Sequence, residues 1–207
     1  CFYGLFFVGR IDMSTVSYSK TRIMTEGAMM IALSTVLSMV KVFTMPYGGS
    51  VTLLSMLPLI LMSFRHGTKW GLGIAFVHSL LQILLDVSSV AAAGSLGAQI
   101  GCVLLDYVLA FTALGLADAF AKPFSNNKLI AVAVATFGVC FLRFLCSFFS
   151  GWLLWGSYKD YYDWAKDLPV WLYSLIYNGS YMLPETIVTI VGAILLVKAM
   201  PKQFEHQ

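Results

Sequence analysis

Long apolar stretches along this chain are separated by short charged or turn-forming breaks, which divide it into six helix candidates. The first runs from about Met24 to Phe43 and ends at the turn cluster TMPYGGS. The second, from about Thr52 to Phe64, stops at RHG and is short enough to be tilted or only partly spanning. The third covers about Lys69 to Leu85 and is followed by the small-residue loop DVSSVAAAGSLG. The fourth covers about Ala98 to Phe120, the fifth about Leu129 to Trp155, and the sixth about Val170 to Val197. Helices are the expected form, because backbone groups in hydrocarbon must be satisfied within their own segment. The fold class expected is an all-α integral membrane protein with six transmembrane helices in one bundle.

Composition agrees with that pattern. The 207 residues are 59% hydrophobic and 11% charged, against about 25% charged in soluble domains, and the mean hydropathy is +0.82. Residues 22–200 are expected to form a single membrane domain, with 1–21 as an N-terminal extension and 201–207 as a cytoplasmic tail. CFYGLFFVGRID lacks an initiating Met, and Met13 opens a more natural start, so residues 1–12 read as an upstream extension or truncated leader. The net charge of +3 is small and dispersed, which argues against nucleic acid as a partner. Cys102, Cys140 and Cys146 lie within apolar helical runs and read as small packing residues.

Charge also sets an orientation. With the N-terminus inside, Arg10, Lys20, Arg22, Arg65, Lys69, Lys122, Lys128, Lys198 and Lys202 face the cytoplasm, and only Lys41, Lys159 and Lys166 face outward. That asymmetry follows the positive-inside rule and puts both termini in the cytoplasm.

One residue breaks the apolar pattern of the fourth segment. In GCVLLDYVLAFTALGLAD, Asp106 stands among Leu, Val and Phe. An ionised acid at membrane depth costs roughly 2.5–3.5 kcal/mol on insertion scales. It lies roughly 12 Å below the outer end of its helix at 1.5 Å per residue. At similar depth, Ser147, Gly151 and Trp155 recur every four residues and share one helix face. Gly151 leaves room for something flat, and Trp155 offers a π face. Tyr173, Asn178 and Tyr181 gather in the outer half of the sixth segment. Taken singly, the aromatics read as an interfacial belt and the Asn as a helix–helix hydrogen bond. Together with the acid they suit a flat, cationic, hydrogen-bonding ligand.

The stretches LLDYVLAFTALGLAD, RFLCSFFSGWLLWGSY and PVWLYSLIYNGSYMLPE resemble the thiamine-specific substrate-binding (S) components of energy-coupling factor transporters, over about Thr25 to Val197. The resemblance implies a six-helix protein of the prokaryotic plasma membrane that captures thiamine from outside with high affinity. It implies a membrane T component and two cytoplasmic ATPase subunits as partners, and no ATPase activity or cofactor in the chain itself. Carried over by position, the substrate-binding residues are Asp106, Tyr107, Ser147, Gly151, Trp155, Tyr173 and Asn178. In two places the chain departs from relatives. Members carry Glu where this chain has the shorter Asp106, and a His commonly stands where it has Ser147, so a stacking surface and a donor/acceptor are missing there. The family's first outer loop contributes an aromatic, for which Tyr47 is the candidate.

Ala28 and Ala32 in EGAMMIALS form a small-residue face on the first segment, suited to docking on the T component or to internal packing. Arg143 and Glu185, charges inside the fifth and sixth segments, are expected to pair, with a polar neighbour of Glu185 as the other possibility. Pro184 is placed to kink the sixth segment. His78 reads as a hydrogen-bonded packing residue rather than a metal ligand, and Asp86 as a solvated helix end. The rival readings are an S component for another vitamin or a thiamine precursor, a six-helix adaptor, and an intramembrane enzyme. Enzymes of that kind need a paired acid, a His–Glu metal set or a nucleophile with its base. Asp106 has no second acid at helical spacing and Ser147 has no nearby His.

Overall fold

A computed structural model describes residues 19–45, 49–124 and 126–199. The proposed start, extension and tail, and Tyr47, lie outside those residues, apart from Ser19, Lys20 and Thr21 of the extension. Helix α1 spans Lys20–Met39, α2 Leu57–Leu85, α3 Val87–Ala92, α4 Leu96–Phe124, α5 Lys128–Leu153 and α6 Val170–Ala199. Among the described residues, α2, α4, α5 and α6 are long and apolar enough to cross a membrane.

The second and third segments merge into α2, which reverses at Gly67 (φ 81°, ψ 169°), a conformation open to glycine at little cost. The reversal is sharp. A Cβ on Gly71 would sit 2.8 Å from the Ser63 Cα and 2.7 Å from the Gly115 carbonyl oxygen, so the two arms of α2 lie side by side and touch the backbone of α4. Asp118 tethers the start of the second arm, accepting from the Thr68 N–H at 3.2 Å and the Thr68 hydroxyl at 2.9 Å. The Tyr107 hydroxyl meets Asp86 at the other end of that arm. The second arm of α2 and α4 are therefore antiparallel. Glu26 beside Arg65 and His66, with Ser34 on the Ser55 carbonyl, sets α1 antiparallel to the first arm.

The expectation of an all-helical chain needs amendment. The first segment ends at Met39, and Lys41–Thr44 (β1) pairs antiparallel with Ser50–Thr52 (β2), where the second segment had been expected to begin. β2 leads into α2 through a tight turn in which Leu54 holds φ 59°, a costly angle for a branched residue. Partners fix that turn. The Thr52 hydroxyl donates to Glu185 Oε1, the Ser55 hydroxyl lies 3.4 Å from the same oxygen, and Ser34 donates to the Ser55 carbonyl at 2.6 Å.

Glu185 thus takes the polar-neighbour alternative. Among the described residues it forms no ion pair with Arg143, whose guanidinium instead lies 4.6 Å from the centre of the Phe111 ring. Pro184 sits inside α6 and removes one backbone donor, yet the helix runs on through it. The main apolar core gathers Met56, Ile60, Met62, Leu114, Val139 and Ala193 between α2, α4, α5 and α6.

Candidate functional site

A cavity of about 490 Å³ opens at the hairpin end, between β1–β2, α2, α4, α5 and α6. That volume falls in the range of small-molecule pockets. All seven residues singled out for substrate binding line it: Asp106, Tyr107, Ser147, Gly151, Trp155, Tyr173 and Asn178.

Asp106 is held by local backbone geometry. Val103–Leu109 forms a π-helical stretch within α4, a widened turn that is rare and concentrated at functional sites. Widening reduces the rotation between successive side chains, so Asp106 and Tyr107 both reach the cavity. Oδ2 of Asp106 accepts from the Ser150 hydroxyl and from the Trp155 indole N–H at 3.3 Å. Two donors, one on α5 and one just beyond its C-terminal end, therefore offset part of the desolvation of the carboxylate. Ser150 was missed in the sequence, although it stands three residues after Ser147 and so near the same face. The Trp155 edge serves Asp106, and its ring packs edge-on with Tyr158 at 5.2 Å.

Gly151 has a different role from the one expected. A Cβ there would lie 2.3 Å from Ser174 Oγ and 2.9 Å from Asn178 Nδ2. The space beside this glycine is filled by α6, and its main consequence is close approach of α5 and α6. The Asn178 amide donates to the Ser174 carbonyl at 2.9 Å and accepts from the Tyr181 hydroxyl at 2.7 Å. Much of its hydrogen-bonding capacity thus serves α6 itself, and its carbonyl oxygen keeps one lone pair for another donor. Tyr173 is buried in a column of rings with Tyr162, Trp164 and Tyr177, at centroid spacings of 5.7–5.9 Å. Ser147 and Tyr181 both line the cavity.

Arg143 and Asp86 also line the cavity. Arg143 extends the four-residue series of Ser147, Gly151 and Trp155 by one turn, a repeat visible in the sequence but passed over as an ion pair. Its Nη1 is buried and has no hydrogen-bond partner among the described residues. Asp86 accepts from the Tyr107 hydroxyl at 2.7 Å and from the Ser89 hydroxyl, so this half-buried helix end is also an organised wall residue. His78 is buried beside Ser34 and Gln82, edge-on to Phe111. No group of residues suited to hold a metal ion occurs among the described residues.

Ala28 and Ala32 are exposed on α1, next to exposed Met29 and Leu33. Internal packing therefore does not account for that small-residue face within this chain.

Comparison with known proteins places these features in context. Residues 24–205 match the family described as thiamine transporter protein. The thiamine transporter ThiT of Bacillus subtilis (strain 168) is 36% identical over 188 residues, covering 86% of this chain and 91% of that one. ThiT of Lacticaseibacillus paracasei is 28% identical over 157 residues, 72% of this chain and 74% of that one. A solved structure of ThiT from Listeria monocytogenes superimposes with a TM-score of 0.68 at 22% identity, covering 90% of this chain and 98% of that one, a likeness of fold.

Proposed function

The chain belongs to the thiamine transporter protein family, and from that premise we propose that it captures thiamine at the cell surface for uptake. It is a bacterial multi-pass membrane protein. The observation that carries the reading is the cavity at the hairpin end, whose wall combines Asp106, held by Ser150 and Trp155, with the aromatic rings of Tyr173 and Tyr177 from α6. Thiamine carries a permanent positive charge on its thiazolium and a planar aminopyrimidine. A half-buried carboxylate meets the first need, and Trp155, Tyr173 and Tyr107 supply flat or edge-on contacts around it. Ser147 and Asn178 offer directional hydrogen bonds, which discriminate against analogues that would leave them unpaired.

In this reading the antiparallel arms form six membrane spans within residues 22–200, with both termini in the cytoplasm and the hairpin end facing out. The chain acts as the S component of an energy-coupling factor importer. ATP hydrolysis resides on two partner ATPase subunits, and the exposed Ala28–Ala32 face of α1 meets the T component. Thiamine is a ligand to be carried, and the chain performs no chemistry on it.

Titrating purified protein with thiamine while following tryptophan fluorescence tests the reading, with Asp106→Asn and Trp155→Ala alongside. Saturable binding that weakens in both variants supports it. Affinity unchanged in both would remove this cavity as the site, and mass spectrometry of the co-purifying small molecule would reveal a different vitamin.

A further inference from the structure

The cavity wall carries four formally charged side chains: Lys41, Asp86, Asp106 and Arg143. Lys41 opens β1 and is exposed at the rim, where water and salt screen it. Arg143 reaches inside, against Phe111, with Nη1 buried and without a hydrogen-bond partner among the described residues. Its charge therefore acts on the same interior as Asp106. To first order the two cancel, and a cation entering a site made of that pair alone would gain little.

Asp86 changes the balance. Its two oxygens accept from hydroxyls, Tyr107 on one and Ser89 on the other, and both donors are neutral. Among the described residues no cation pairs with it. It stands at a junction, C-cap of the second arm of α2 and N-cap of α3, where the partial charges of the two helix ends oppose one another. Two neutral hydroxyls orient the carboxylate and add no positive charge to offset its own.

We infer that Asp86 is a specificity-determining residue, the anion that gives the inner cavity its net negative charge and so selects a cationic ligand over an uncharged one of the same shape. The inference rests on the reading of this cavity as the thiamine site. Tyr107 is a positioning residue in this scheme, orienting the Asp86 carboxylate while its ring forms part of the wall.

The experiment compares thiamine with an isosteric analogue whose uncharged thiophene ring replaces the thiazolium, each titrated against wild type, Asp86→Asn and Tyr107→Phe by tryptophan fluorescence. Expected is an approximately tenfold loss of thiamine affinity in Asp86→Asn with the analogue changed less than about twofold, because one charge–charge interaction is removed. Tyr107→Phe, which frees the Asp86 carboxylate from its hydroxyl, is expected to weaken thiamine more than the analogue, by less than Asp86→Asn does. Equal loss for both ligands in Asp86→Asn, no loss for either, or an equal loss for both ligands in Tyr107→Phe would overturn the inference. If Asp86→Asn does not fold, Asp86→Ser and the charge-keeping Asp86→Glu carry the same comparison, selective loss being expected only in the former. Wild type that fails to bind thiamine would overturn the reading of the site itself, an outcome distinct from thiamine binding that is indifferent to Asp86.

Discussion

Ser150 and Asp106 lie 44 residues apart in sequence, and the Ser150 hydroxyl donates to the same carboxylate oxygen, Oδ2, that the Trp155 indole reaches. The acid is therefore organised before any ligand arrives. Hydrogen bonds to a charged group contribute about 1.5–3 kcal/mol. Ser150→Ala is accordingly expected to weaken thiamine binding by about tenfold or more, and titration by tryptophan fluorescence reads this directly. An affinity within twofold of wild type would mean that the Ser150 bond is incidental.

Gly151→Ala should act on stability first. The added methyl would meet Ser174 Oγ at 2.3 Å, so α5 and α6 must part or the serine must turn away. Overpacking of this kind costs about 1–3 kcal/mol. Thermal unfolding in detergent should show a lowered midpoint, with partial recovery in Gly151→Ala combined with Ser174→Ala.

The hairpin turn depends on Glu185. Leaving the Thr52 and Ser55 hydroxyls without this acceptor costs about 1–3 kcal/mol per buried group. Glu185→Ala is expected to lower the unfolding midpoint and expose the first loop to proteolysis. Glu185→Gln keeps an acceptor oxygen and should be far milder. In a double-mutant cycle, Thr52→Val and Glu185→Ala should be clearly non-additive, since they remove the same contact.

On α1, Ala28→Trp and Ala32→Trp should leave thiamine affinity of the isolated protein unchanged, because both positions are exposed. Uptake by cells carrying the complete transporter should fall to background. Loss of binding as well would place this face inside the bundle.

The face of α5 was legible in sequence because a four-residue repeat survives folding unchanged, and Ser147, Gly151 and Trp155 do line one cavity. The same repeat pointed to Arg143, which was set aside because an ion pair with Glu185 looked cheaper than an unpartnered cation. Three features left no local trace. The hairpin has strands of four and three residues, too short for a period to register, so its residues read as helix ends and the turn between them. The π-helical stretch around Asp106 has the composition of any apolar helix. Asp86 looked solvated because nothing near it in sequence announces Tyr107, 21 residues away. Long-range hydroxyl contacts of this kind appear only once the helices are assembled.

Gly71 and Gly115 let the reversal of α2 and the middle of α4 meet backbone to backbone, with a Cβ on Gly115 falling 2.4 Å from the Leu72 nitrogen. Two main chains in such contact cannot shear past one another without a collision, and no side chain lies between them to bend aside. That seam therefore behaves as a fixed joint. Whatever movement frees the cargo must be distributed among elements away from it, such as the short hairpin and the turn at Gly156–Tyr161.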